Sequence, residues 1–211
     1  DVTMLEIMKF FKHVVHTEPI CMVQSTINML KCMLPKMNFT QLKGAKKGAK
    51  KVEVEEGDEN AEPEHEIAPW KQQLETAFVY CCVWACGSGF TVADDGTDYK
   101  KAFSDWWRGE FKTIKFPSRD TVFDYWLDPV SNVFEEWNKS PVFKDVKFDS
   151  KTMSMSELTV PTGETSSVAF WMNSLVSNAY PVMLCGGAGQ GKTQLVNGML
   201  GDLPADTYQS L

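Results

Sequence analysis

The stretch from Val182 to Leu200, VMLCGGAGQGKTQLVNGML, constrains this chain more than any other. It holds the pattern G-x-x-x-x-G-K-T, filled by Gly186, Gly191, Lys192 and Thr193, with Gly187, Ala188, Gly189 and Gln190 inside it. A short apolar run, YPVMLCG, precedes the loop and reads as a buried strand, and an amphipathic run that reads as a helix follows. In that context glycines let successive backbone N–H groups turn inward around phosphate oxygens. The helix starting near Lys192 offers its first N–H groups and the positive end of its dipole to the same anion. Lys192 is placed to reach β- and γ-phosphates, and the Thr193 hydroxyl to ligate Mg²⁺. A chance glycine turn does not account for a full motif between a strand and a helix, so the expected ligand is ATP or ADP with Mg²⁺.

Hydrolysis demands more. An acidic residue at the end of a later strand must hold the metal and orient water, yet only GDLPADTYQSL follows the helix. Asp202 and Asp206 lie too close to the loop, and no apolar strand precedes them. The expectation is a fragment cut inside its nucleotide domain, with no catalytic residue of its own and no ATPase activity alone.

The composition bounds the rest. The 211 residues are 43% hydrophobic, enough for one large or two small domains with a real core, and the formal charge of −7 argues against a general nucleic-acid binder. No run of eighteen apolar residues is present to span a membrane, and the first residues, DVTMLEIMKFFKHVV, lack a cleavable signal pattern. The six cysteines, Cys21, Cys32, Cys81, Cys82, Cys86 and Cys185, form no C-x-x-C pair and sit mostly in apolar runs. They read as buried reduced thiols rather than a zinc site.

Along the chain, MLEIMKFFKHVV and ICMVQSTINMLKCML carry helical apolar spacing. In the second, Ile20, Val23, Ile27, Leu30 and Leu34 form one stripe, Pro19 suits the first turn, Pro35 stops the helix, and Met22, Met29 and Met33 read as core. From Asn38 to Pro69 the character changes, with five lysines between Lys43 and Lys51 and eight acids between Glu53 and Glu66. So little can be buried there that residues 38–69 are expected to form a flexible charged insertion, with His65 exposed among acids. Order resumes at Trp70 in a helix with Trp70, Leu74, Ala77, Phe78, Cys81 and Ala85 on one face, ended by Gly87 and Gly89. Tyr99, Phe103, Trp106 and Trp107 read as a second helix packing its rings into the core rather than as a base-stacking platform. DTVFDYWLD has strand composition, PVFKDVKFD suggests a short extended piece, and TGETSSVAFWMNSLVSNA suggests a helix capped by Thr162 or Thr165.

Several of these stretches together resemble the dynein heavy chains, and among them the axonemal outer-arm type. VWACGSGF and KTIKFPSRDTVFDYWLD are similar to the segments leading into the third AAA+ module of that motor ring. LTVPTGETSSVAFWMNSLVSNAYPVMLCGGAGQGKT resembles the run from the adenine-contacting segment through that module's Walker A loop. FKHVVHTEPICMVQSTINMLKCML resembles the C-terminal lid of the second module. The resemblance covers nearly everything except the charged insertion, and its specificity lies in the order and spacing of the pieces.

What the resemblance implies is an α/β AAA+ P-loop fragment, mostly helical at first and then entering a P-loop domain. Residues 1–37 would end one module, 38–69 would be the insertion, and 70–211 would begin the next. Val160 and Thr162 match the segment lining the adenine pocket, and Gly186 to Thr193 match the phosphate loop. Ser166, Ser167 and Val168 stand where related modules tend to have an arginine, and Gln190 and Thr193 stand where Thr and Ser are frequent. The implied whole is a minus-end-directed microtubule motor of cilia and flagella, in which this module binds nucleotide in a regulatory role. Its implied partners are microtubules, other dynein heavy, intermediate and light chains, and neighbouring AAA+ modules, with no nucleic acid and no membrane. The competing reading is a truncated stand-alone P-loop NTPase or kinase, although small kinases place the P-loop near their N-terminus. A third reading has the nucleotide only brace the ring without turning over.

Overall fold

The computed structural model describes residues 10–39, 69–144 and 160–204. Helix α1 spans Pro19–Met33 and runs into a single 3₁₀ turn at Leu34–Lys36. Pro19 occupies its first turn, where a missing N–H costs nothing, and Pro35 falls in the tightened end. Helix α2 spans Pro69–Gly87 and packs along α1. Helix α3, Tyr99–Glu110, is capped by Asp98, whose carboxylate accepts the Lys101 N–H at 3.1 Å. Strands β1 (Tyr125–Leu127) and β2 (Phe134–Glu136) form a two-stranded antiparallel ladder that pairs Tyr125 with Glu136 and Leu127 with Phe134. Helix α4, Gly163–Val176, packs against α1, against the 3₁₀ turn at Trp137–Lys139, and against the last helix, α5, Lys192–Asp202. This mostly helical arrangement with a small sheet is consistent with the α/β fragment that the resemblance implies.

One core joins these elements. Met22, Met29 and Met33 of α1 are buried against α2, as the methionine spacing predicts. Around them the core is aromatic: Tyr80, Trp84, Phe103, Trp107, Phe123, Tyr125, Trp126, Trp137, Phe170 and Trp171 are all under a tenth exposed. Trp84 meets Phe123 and Trp137 edge-on, with centroids 5.4 and 5.8 Å apart, the arrangement that ring quadrupoles favour. The Trp137 indole donates to the buried Phe123 carbonyl at 2.8 Å and so ties the turn after β2 to the segment before β1. The predicted aromatic helix is α3, with Phe103 and Trp107 buried and Tyr99 and Trp106 half-buried.

The structure corrects four expectations. On α1 the Ile20, Val23, Ile27 stripe faces outward, at 72%, 41% and 41% exposure. The buried face, carrying Met22, Met29 and Met33, lies about a third of a turn away, because the apolar side of α1 is wide enough to carry two adjoining stripes. On α2 the predicted face is wrong over its first half. Leu74 and Phe78 are exposed, whereas from Val79 to Gly87 nearly every residue is buried regardless of phase. Half-buried Leu30, Leu34 and Trp70, with exposed Leu74 and Phe78, line an apolar groove of about 490 Å³.

The strand predicted over DTVFDYWLD is only Tyr125–Leu127. Its first half is a turn, because the Asp124 carboxylate accepts both the Thr121 N–H at 2.8 Å and the Thr121 hydroxyl at 2.7 Å. Finally, no strand forms over residues 180–186; the segment has no ladder partner among the described residues. A strand exists through its neighbour's hydrogen bonds, so apolar composition alone does not make one. Most of PVFKDVKFD and of the 38–69 insertion, including His65, lies outside the described residues.

None of the six cysteines is in a disulfide. Cys32, Cys81, Cys82 and Cys86 are buried, in line with the sequence reading, but Cys21 and Cys185 are exposed. Burial pushes the Cys82 thiol up to about 11, with the Thr26 hydroxyl opposing, and pushes Cys86 up to about 12, helped by neighbouring Cys82. Cys81 is raised further still by burial and by Cys82 and Cys32. No described helix is long and apolar enough to cross a membrane.

Candidate nucleotide site

The site is built on α4 and α5 and the chain between them. Thr162 caps α4 in an extended conformation; its hydroxyl accepts the Thr165 N–H at 3.1 Å, and the Thr165 hydroxyl accepts the Thr162 N–H at 2.8 Å. The reciprocal pair satisfies two donors at the helix start, so both sequence candidates for the cap take part. Val160, just upstream, is 62% exposed. Glu164 in the first turn pairs with Lys100 of α3 at 3.3 Å. Where an arginine was the familiar residue, Ser166 and Ser167 are buried, and the Ser167 hydroxyl donates back to the Glu164 carbonyl at 2.7 Å.

The far end of α4 stops in a defined way. The Tyr180 N–H reaches the Leu175 carbonyl at 3.0 Å and the Ala179 N–H reaches Val176 at 2.9 Å, with Ala179 left-handed at φ 58°. This is a Schellman closure with alanine in the position glycine usually takes. It turns the chain into the segment 181–185, on which Val182 and Met183 are 38% and 75% exposed.

The glycine loop follows. Gly189 and Gly191 both lie at φ 76°, a region where a side chain is strained, and Gly191 is the N-cap of α5. The sequence motif fixes Gly191 but says nothing of Gly189, whose left-handed turn is visible only in the structure. The Leu195 N–H donates to the Gly191 carbonyl at 3.0 Å, so α5 starts directly out of the loop. Lys192 folds back over the loop and donates to the Gly186 carbonyl at 2.9 Å and the Gly187 carbonyl at 2.5 Å. Thr193 is exposed in the first turn of α5.

These features suit an anion. A loop with two left-handed glycines opens onto a helix N-terminus, and a primary ammonium is held at the loop's own carbonyls. The structure brings Gly186 to Thr193 together. Val160 and Thr162 stand at the N-terminal end of α4, where the Thr162 hydrogen bonds go to Thr165 and Ser166. The sequence reading missed the side chain of Gln190, which lies against Gly186; no spacing rule signals such a contact. Among the described residues, no cluster of histidine, cysteine or carboxylate side chains could hold a metal ion.

Residues 2–139 match the family described as dynein heavy chain AAA lid domain, and residues 147–211 match the P-loop containing dynein motor region. The chain is 42% identical over 138 residues to dynein axonemal heavy chain 9 of Homo sapiens, covering 65% of this chain and 3% of that protein. It is 40% identical over 130 residues to the flagellar outer-arm dynein alpha chain of Chlamydomonas reinhardtii, covering 62% and 3%. Over 199 residues, 94% of this chain and 4% of the relative, it is 34% identical to dynein axonemal heavy chain 17 of Mus musculus. The matches leave no ground for the stand-alone kinase reading. With a lid model over its first two thirds and a motor P-loop model over the remainder, the chain belongs to the dynein heavy chain family.

Proposed function

We propose that this chain carries a nucleotide-binding AAA+ site of an axonemal dynein heavy chain, of the outer-arm type found in cilia and flagella. The observation that carries the reading is the Gly186–Thr193 loop, with its two left-handed glycines, opening onto the N-terminus of α5 with the Lys192 ammonium held at the loop. The bound species is ATP or ADP. Backbone N–H groups from Gly186 to Thr193 surround its phosphates, Lys192 opposes the β- and γ-phosphates, and the Thr193 hydroxyl holds Mg²⁺. Val160 and Thr162 lie on the adenine side. The metal supplies charge neutralisation at the phosphates; the residues of this chain bind and orient.

The junction between two AAA+ modules falls within the chain, the first contributing lid helices and the second beginning its P-loop domain. The site is regulatory in the whole motor, which moves toward microtubule minus ends and assembles with other dynein heavy, intermediate and light chains. The 211 residues alone do not turn over ATP. The test is Lys192→Ala in the full-length motor. Losing one charge-assisted contact costs about 1.5–3 kcal/mol, roughly ten- to a hundredfold in MgADP affinity at this loop. Gliding velocity falls and microtubule-bound times lengthen in saturating ATP. Unchanged velocity and bound times, with nucleotide shown to be absent from the variant loop, would leave the loop a structural brace.

A further inference from the structure

We infer that the apolar groove between α1 and α2 is a docking site for a stretch of the chain's own charged insertion, Val52–Glu56, with its valines in the groove and its glutamates toward the cations beside it. That stretch lies outside the described residues. The groove, about 490 Å³, lies between Leu30 and Leu34 near the end of α1 and Trp70, Leu74 and Phe78 in the first half of α2. An apolar groove of this kind takes aliphatic side chains presented on a peptide. Its rim is cationic. Lys71 lines it, with Nζ 5.7 Å from the centre of the Trp70 ring. Glu75, also in the lining, accepts the Thr113 hydroxyl at 3.5 Å and so brings the loop 111–119 alongside. That loop is anchored by Phe111 on Trp107 and Phe116 on Phe134, with centroids 4.3 and 4.5 Å apart. It exposes Lys112, Lys115 and Arg119 with no acid between them. None of these four cations is in an ion pair among the described residues.

Sequence and tethering select the occupant. The insertion joins the end of α1 to Pro69, so the groove lies between the two helix ends that it connects. Between Lys43 and Glu66, Val52 and Val54 are the only branched aliphatic residues, and they alternate with Glu53 and Glu55. A peptide that turns alternate residues down into the groove turns the others up toward the rim. The valines decide between the groove and the block Lys43–Lys51, which offers the glutamates charge but no apolar surface. Val52 is thirteen residues beyond Phe39, a tether that reaches up to about 45 Å. Helix α1 is only about 22 Å long, so the segment reaches every part of the groove. Tethering holds it there at an effective concentration on the order of 1 mM, and a site with a Kd of about 0.5 mM is then about two-thirds filled. A separate acidic partner would need the same concentration in solution.

The test is photo-cross-linking in the full-length motor, with p-benzoylphenylalanine in place of Phe78, a ring already 49% exposed in the groove. Mass spectrometry with fragmentation places the cross-link within residues 52–56. Val52→Ser combined with Val54→Ser lowers its yield about tenfold by removing the apolar anchors. Raising KCl to about 0.5 M roughly halves it by screening the glutamates from the rim. An N-hydroxysuccinimide ester supplies a second measure: it acetylates Lys71, Lys112 and Lys115 up to about threefold faster in the double serine variant. Equal hydrogen exchange over residues 79–87 in all proteins checks that α2 is intact. A cross-link from position 78 to any other segment of the heavy chain or to another subunit overturns the assignment. So does a yield that the serine substitutions leave unchanged, or the absence of a cross-link.

Discussion

Gly87→Ala tests the aromatic core at its tightest described point. A methyl on the last residue of α2 would sit 2.5 Å from the Phe123 Cζ, 2.9 Å from its Cε1 and 3.0 Å from the Phe103 Cε1. Carbon atoms settle at about 3.5–4.0 Å, so the tip of the Phe123 ring must retreat by about 1 Å. It has little room. The ring stands edge-on to Trp84 at 5.4 Å and stacks with Phe103 at 5.8 Å, and its backbone is held by the Trp137 indole. Overpacking of this kind costs about 1–3 kcal/mol. Exchanging glycine for alanine returns at most about 1 kcal/mol of helix propensity, less at a helix end. The net loss is about 1–2 kcal/mol. Urea unfolding followed by tryptophan fluorescence measures it, in wild type and in a Phe123→Leu background that lacks the ring tip. In that background Gly87→Ala becomes neutral to within about 0.5 kcal/mol. The same loss in both backgrounds would refute the collision as its cause.

The buried thiols make stability fall at high pH. Unfolded cysteines ionise near the ordinary 9.0 while folded Cys82 and Cys86 hold their protons to about 11 and 12, so their contribution is complete below pH 9 and is lost as pH rises through that window. Melting temperatures from pH 8 to 11 show whether the decline shrinks in Cys82→Ala. Iodoacetamide at pH 8 modifies exposed Cys21 and Cys185 first, and peptide mapping that finds Cys81 labelled as fast contradicts the packing. Ala179→Gly relieves the left-handed strain after α4 and stabilises by up to about 1 kcal/mol, read as a raised urea midpoint. Thr162→Ala breaks the reciprocal cap and costs about 1 kcal/mol, seen as faster exchange in the first turn of α4.

Much of the candidate site was legible because its chemistry is local. The loop motif, the cap at Thr162 and the start of α5 depend on residues a few positions apart. The methionine core was legible too, since Met22, Met29 and Met33 recur at helical spacing. The outward Ile20 stripe was not, because two apolar stripes on one helix cannot be ranked until a partner helix selects one. The second half of α2 hides its orientation for a related reason: from Val79 to Gly87 it is surrounded, and phase carries no information there. The strand before the loop failed because pairing is a property of two segments, whereas composition belongs to one. Gln190 lay beyond reach because its contact depends on the loop's own curvature.

Helix α4 touches α1 and the Trp137 turn as well as α5, the helix that emerges from the phosphate loop. Lys36, in the turn ending α1, reaches it at Ser174 over 3.3 Å, and Lys100 of α3 reaches it at Glu164. Fourteen residues make a rod about 21 Å long. A rod does not bend to absorb a push at one end; it pivots. A tilt of about 5° moves its opposite end by about 2 Å, more than a close-packed aromatic core can take up without changing its ring contacts. Mechanically α4 is a link, in contact both with the helix that leaves the phosphate loop and with the tryptophan-lined core.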